Sequence, residues 1–389
     1  MIYTHTQTNA QAFVLDISDV LDEIWRLESK MGKLIKMGPP VTQRKHEWLR
    51  DDIFPNTFVS TDDAGGLLAT GETTLTVLAA YGAYLRVGTL IKDVARGVGE
   101  VYMVTAISVA SPNSTLTLAK FPETGGASYD HASAATWRII SRPILEGATP
   151  SKDDVTVRAV SWNAIQLFER GIELSDESKN IAMRGVSNEE AYQIKKKTRE
   201  VKDELDYTIL YGKRNYASSE SEYNAMGGIV EFLSAGALAY NAAGAALTVD
   251  IINDAAQKVA NAGADLKACK LLLSTDQSRI LSTIASDRIQ LRREDNMRGQ
   301  FVDKVMTDTG VALETVIEGD LDPEYAGVVN FNEMSIRPLS GLAWSLYTWP
   351  RTKYAQQTTL KGDYTFEIRN VDKAHAFIRG LQTHAEFIA

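Results

Sequence analysis

Between about Ser187 and Gly212, apolar or small residues recur at alternating spacings of three and four: Ala191, Ile194, Thr198, Val201, Leu205 and Thr208. That spacing predicts a helix with a narrow seam, on which Ile194, Val201 and Leu205 are the large apolar members. The intervening positions carry charge, from Glu189 and Glu190 through Lys195, Lys196 and Lys197 to Asp203, Glu204 and Asp206. Ser187 with Glu190 three residues on has the spacing of a capping box. Gly212, with Lys213 and Arg214 beside it, has that of a left-handed helix stop. At ~1.5 Å per residue such a rod is roughly 40 Å long. It leans one thin edge on a sheet and turns its other sides to water or to neighbouring subunits. Taken alone, a solvated coiled-coil arm has the same pattern.

Elsewhere the period is two. From about Gly65 to Arg142 the runs Thr73–Val77, Thr89–Ile91, Val101–Thr105, Thr115–Leu118 and Thr136–Ile140 alternate and are rich in β-branched residues. Gly88, Gly97-Val98-Gly99, Ser111-Pro112-Asn113 and Gly125-Gly126 divide them. Short strands so spaced predict a small closed barrel or sandwich, an inserted β-barrel-like domain over 65–145. Residues 151–181 form a second extended unit with Val155, Val157, Trp162, Ile165, Leu167, Phe168, Ile172 and Leu174, broken at Arg170-Gly171. An isolated two-stranded excursion is marginal in water. Trp162, Ile165, Leu167 and Phe168 are therefore expected to seek a partner surface.

The remaining pattern predicts an arm over 13–36 that ends at Gly38-Pro39-Pro40, helices over 251–262 and 276–285, and a strand over 269–274. After Pro323 the chain reads mostly as strand. Its clearest run is Leu360–Arg369, with Tyr364, Phe366 and Ile368 on one face and Thr365, Glu367 and Arg369 on the other. The fold class is α+β with an inserted β module.

Composition narrows function by exclusion. Across 389 residues, 44% hydrophobic and 23% charged is ordinary for a globular protein. No stretch approaches the ~18 apolar residues of a membrane span, and the N-terminus has no basic region followed by an apolar core. The single cysteine, Cys269, excludes an internal disulfide and a cysteine-cluster metal site, and its apolar neighbours predict a packing role. A net charge of −9 disfavours sequence-specific grip on nucleic acid. The densest basic run, Lys195–Lys197, is flanked by acids and reads as a solvated helix face.

Motifs of chemistry are absent. Gly32-Lys33 lacks the remainder of a phosphate loop, and Gly97-Val98-Gly99 opens no helix. His46-Glu47-Trp48 has no second histidine at zinc-binding spacing. His375 and His384 are nine residues apart, and Glu318–Asp322 lacks the distal glutamate of a calcium loop. No catalytic, cofactor-binding or metal-binding residue is assigned, and enzymatic activity is not expected.

The order of elements, with particular residues in them, resembles the major capsid proteins of tailed bacteriophages, which share the Hong Kong 97-type capsid fold, in a subfamily with a β insertion. His46-Glu47-Trp48 followed by Asp51 resembles the signature after the N-terminal arm, and Glu146-Gly147 the close of the insertion. Trp162-Asn163-Ala164-Ile165-Gln166-Leu167-Phe168 and Ile172-Glu173-Leu174-Ser175 are similar to the extended loop. Glu204–Arg214 and Gly227-Gly228-Ile229 resemble the end of the spine helix and the loop after it. Lys361–Asn370, Lys373-Ala374-His375 and Gly380-Leu381 resemble the C-terminal strand pair. Leu167 departs from the usual isoleucine, and Ser175 opens an acidic Asp176-Glu177 stretch.

The resemblance implies an N-terminal arm and lead-in over 1–64, the insertion over 65–145 and an extended loop over 146–186. It further implies a peripheral-domain spine helix and loop over 187–229, an axial domain with adjoining peripheral parts over 230–340, and C-terminal peripheral strands over 341–389. It implies a structural protein that self-assembles into pentamers and hexamers of an icosahedral head around double-stranded DNA, made in the host bacterial cytoplasm and resident in the virion. A separate scaffolding protein, a portal and a decoration protein are the further partners it suggests. No cofactor and no membrane are implied. The alternatives are the shell of a bacterial nanocompartment with the same fold, an enzyme, and a surface-binding module built on the insertion.

Overall fold

The computed structural model describes residues 31–51, 56–61, 74–95, 100–121, 134–144, 146, 158–177, 188–219, 221–285, 303–351 and 354–388. The arm expected before Met31, the turns at Gly97–Gly99 and Gly125-Gly126, and Ser187 lie outside them. The chain divides into two units, one of residues 1–48 with 161–389 and one of residues 49–160.

The first unit holds two sheets and two apolar clusters, one of which takes in Leu272, Val316, Val329 and Phe377 of the second sheet together with residues of the first. One sheet has five strands in the order Lys36–Met37, Met334–Pro338, Ala355–Ile368, Gln166–Ser175, with Ser345–Thr348 also paired to Ala355–Ile368. The long helix Glu189–Tyr211 lies on this sheet, and Val201, Leu205, Ile209 and Leu210 join Phe168, Leu360, Tyr364 and Phe366 in one apolar cluster. Val201 is 1% exposed and Leu205 7%, whereas Ile194 is half-buried. The seam is therefore closed only in the C-terminal half of the helix. There it continues through Ile209 and Leu210, which the three-and-four spacing had not included.

Both ends of the helix differ from expectation. Asn188, not Ser187, is the N-cap: its side chain accepts from the Ala191 N–H at 3.1 Å. Gly212 has φ −52°, so it is not the left-handed stop its residue type suggested. A Cβ at Gly212 would instead collide with the carbonyls of Met226 and Thr208. The glycine is needed for close backbone approach, and the Gly228 N–H donates to the Gly212 carbonyl at 2.8 Å.

The second sheet has six strands in the order Tyr240–Asn241, Ala376–Arg379, Ala326–Val329, Lys270–Ser274, Ala312–Glu318, Lys304–Met306. Helix Val249–Asn261 buries Ile251, Ile252, Ala255, Ala256 and Val259 in its core, an apolar face at the helical period. Cys269 lies in the same core, 4% exposed, with its thiol pushed up to about 11 by burial and by the nearby Asp265 charge. The last strand, Ala376–Arg379, was expected among the C-terminal peripheral strands. It pairs here instead, because Ala376, Phe377 and Ile378 are all fully buried and such a run needs cover on both faces. Asn370, at φ 51°, stands at the turn between the two sheets' strands.

In the second unit, six strands follow the order Thr57–Val59, Thr136–Ser141, Leu90–Asp93, Val101–Ser108, Asn113–Phe121, Thr74–Leu78. Its two edge strands meet at the bridge between Ser60 and Val77, so the sheet closes on itself into a barrel. The strand Thr74–Leu78 alternates, with Leu75 and Val77 inside, and Leu116, Val104, Ile91 and Phe58 point into the same core. Trp137, fully buried, is its largest side chain and meets Tyr102 edge-on at 5.9 Å. An irregularity between Val104 and Ala106 shifts the register of the longest strand pair, where a bulge increases twist.

Candidate subunit interface

The segment Trp162–Phe168 joins strand Ala159–Ala164 to strand Gln166–Ser175. The pattern alone offered its apolar residues to a neighbouring subunit; the structure engages three of the four within the chain. Phe168 is fully buried and lies 6.2 Å from Trp344, ring to ring. Ile165 is 6% exposed, and its N–H donates to the Arg44 carbonyl at 2.9 Å. Trp162 is half-buried, with the Lys45 ammonium and the Arg214 guanidinium each 5.0 Å from its ring centre. Leu167 is 56% exposed and is the one of the four whose side chain is presented outward. The reason is alternation: Leu167 points away from the face on which Phe168 meets the helix.

Asn163 stood in the extended-loop resemblance without a role of its own. It is fully buried and uses its whole amide: Nδ2 donates to the carbonyls of Gly227 (3.1 Å) and Phe366 (2.7 Å), and Oδ1 accepts from the N–H groups of Gly227 (2.8 Å) and Ala164 (2.9 Å). Gln166 extends the same stitch, its Oε1 accepting from the Met226 N–H at 3.0 Å. The available signal was the pair of amides, Asn163 and Gln166, interrupting an apolar run.

The strand Ala355–Ile368 is covered on both faces over its last turn of alternation, where half-burial was expected. Thr365 and Glu367 are as buried as Tyr364, Phe366 and Ile368. Thr365 Oγ1 donates to the Ala164 carbonyl at 2.9 Å. Glu367 is met by His46 Nε2 at 2.9 Å and by two guanidinium groups, Arg369 Nε at 2.5 Å and Arg337. Burial alone would raise this carboxyl; the hydrogen bonds from His46 and Arg369 and the Arg337 charge outweigh it and hold it near 2. Close by, His375 is 2% exposed and held neutral, its pKa pushed down to about 4 chiefly by burial. Its Nδ1 accepts from the Asn330 N–H at 3.2 Å, which leaves Nε2 to donate to the Arg369 carbonyl at 3.0 Å.

A cavity of about 240 Å³ opens between the helix and the sheet, with Leu205, Ile336 and Trp344 among its walls and Lys202, Asp203 and Asp206 among its charges. Among the described residues no cluster of side chains suits a metal ion, and no helix is long and apolar enough to cross a membrane. The arrangement positions backbone and seals cores.

Comparison with solved structures defines the class. The chain is similar to the capsid asymmetric unit of cyanophage A-1(L), at a TM-score of 0.58 and 9% identity over 98% of this chain and 100% of that one. It is similar also to the capsid of the native GTA particle, at 0.51 and 9% over 97% and 99%, and of the empty particle, at 0.52 and 9% over 96% and 97%. This is the Hong Kong 97-like α+β fold of phage capsids. No curated protein matches the sequence. The family model of the SU10 major capsid protein matches residues 2–382, and the chain belongs to that family. It is a major capsid protein of tailed phages, a structural subunit of the virion's icosahedral shell.

Proposed function

We propose that this chain forms pentamers and hexamers that tile a head around double-stranded DNA, with no catalytic role of its own. The match over residues 2–382 carries the reading, because it takes in the whole order of elements and not one motif. A net charge of −9 suits a wall that repels phosphate and does not hold DNA during packaging. A separate scaffolding protein, a portal and a decoration protein are the partners such a head would use. The barrel of residues 49–160 is proposed to face outward, where it takes no volume from the genome. Within the extended segment, Leu167 is the contact offered to a neighbour, while Trp162, Ile165 and Phe168 shape the strand that presents it. A nanocompartment shell would enclose an enzyme; the family match favours a phage head. Electron microscopy of particles made with and without a DNA-packaging host tests the reading: heads that fill with DNA support it, and shells that capture only protein cargo do not.

A further inference from the structure

The strand Ser345–Thr348 departs from the rest of its sheet. All four of its residues are exposed, although each is paired with the strand Ala355–Ile368. The Trp349 N–H donates to the Gln357 carbonyl at 2.9 Å, so Trp349, Tyr347 and Ser345 turn their backbone groups inward. The alternation then turns the N–H and C=O groups of Leu346 and Thr348 outward. Among the described residues no further strand lies beyond them. Pro350, which has no N–H, ends the free edge.

Edges of this kind are blunted in monomeric proteins by charge, because an open row of donors and acceptors invites another strand. Ser345–Pro350 carries no charge at all. It carries Leu346, Tyr347 and Trp349, each between 44% and 48% exposed, with Tyr347 and Trp349 set edge to face at 5.0 Å. Trp349 Nε1 donates to Thr359 Oγ1 at 2.8 Å, which fixes the indole over the hairpin. Tyr354 is 79% exposed. From Ser340 to Gly362 the sequence has Arg351, Lys353 and Lys361 and not one carboxylate, in a chain of net charge −9. Arg351 reaches Asp176 yet remains 59% exposed, and the Lys361 ammonium sits 5.4 Å from the Tyr347 ring centre.

We propose that this edge takes a strand from a second copy of the chain, extending the five-stranded sheet across a subunit boundary. The inference rests on the capsid reading, which sets copies side by side at high local concentration. Three features select the occupant. The outward amides and carbonyls of Leu346 and Thr348 need a peptide backbone, which neither duplex DNA nor a lipid surface supplies. The aromatic pair offers desolvated anchor area of the kind that dominates interfaces. In sequence, Arg351, Lys353 and Lys361 complement the net charge of −9 that a further copy of this chain carries.

The test is amide hydrogen exchange on the full chain, as protomer and as assembled particle. The amides of Leu346 and Thr348 are expected to exchange at least about tenfold more slowly in particles, since a paired edge must open before it exchanges. L346K/T348K, which places two charges on the edge, is expected to keep the protomer's thermal midpoint and to lose particle formation. Particles in which these amides exchange as freely as in the protomer overturn the inference and leave the capsid reading standing. So do particles of normal size from L346K/T348K. Duplex DNA that protects the same amides in the protomer identifies nucleic acid as the occupant and also overturns it. A wild-type chain that forms no particles overturns both readings.

Discussion

Asn163 and Phe168 show how one short segment holds its protomer together. Asn163 satisfies four backbone groups from three stretches of chain, so Asn163→Ala strands buried donors and acceptors at about 1–3 kcal/mol for each group left unmet. Phe168→Ala opens a cavity beneath the helix and is expected to cost about 3–5 kcal/mol of protomer stability, read from a urea midpoint. Leu167→Ser, on an exposed side chain of the same strand, should leave that midpoint in place and weaken only association. Two buried titratable groups give the pH dependence. His375 is lowered from 6.5 to about 4, so the stability it contributes is complete above pH 6.5 and is lost as pH falls towards 4. Glu367 is lowered from 4.5 to about 2, so its contribution is complete above pH 4.5 and is lost between there and 2. Unfolding midpoints should therefore fall in two stages on acidification, and Glu367→Gln should remove the lower stage. A single stage in the wild type, or an unchanged lower stage in the variant, would show that these groups do not control acid stability.

At the scale of elements, the sequence made some features legible and hid others, for physical reasons that can be named. Periodicity reports which side chains share a face, so the long helix, the helix Val249–Asn261 and the short strands of the barrel were all readable from it. Periodicity does not report how far along a helix the partner sheet extends. That is why the seam appeared to run from Ile194, whereas burial is complete only from Val201 to Leu210. Nor does it report a second cover. Thr365 and Glu367 look solvent-facing by alternation and are buried because polar partners, Ala164 and His46, arrive from distant sequence. Gly212 was legible as a required glycine, but its reason is the passage of Met226 and Gly228, which no local pattern encodes. The helix itself offers a contrast in tolerance. Leu205→Asp forces a carboxylate into the apolar cluster at a cost of several kcal/mol unless it is neutralised. Lys196→Ala, on an exposed position, should express and assemble like the wild type. Equal losses in both variants would remove the seam from the account.

At the scale of the whole molecule, residues 49–160 have a barrel and a core of their own, with Trp137 at its centre. Expressed alone, this unit should give the dispersed amide spectrum of an ordered β domain; a collapsed spectrum would mean that its order depends on the rest of the chain or on neighbours. A capsid subunit works through the surfaces it offers to other copies, and this sets the limit of sequence reading. Interfaces are surfaces formed by elements far apart in sequence, so a run such as Trp162–Phe168 can look like a contact while three of its four apolar residues serve the protomer. The central claim is that many copies of this chain close into a shell. Electron microscopy of the purified full-length protein tests it most directly. The account predicts closed particles of icosahedral symmetry or rings of five and six copies. A preparation that stays monomeric at every concentration, with its fold intact by dichroism, would contradict it.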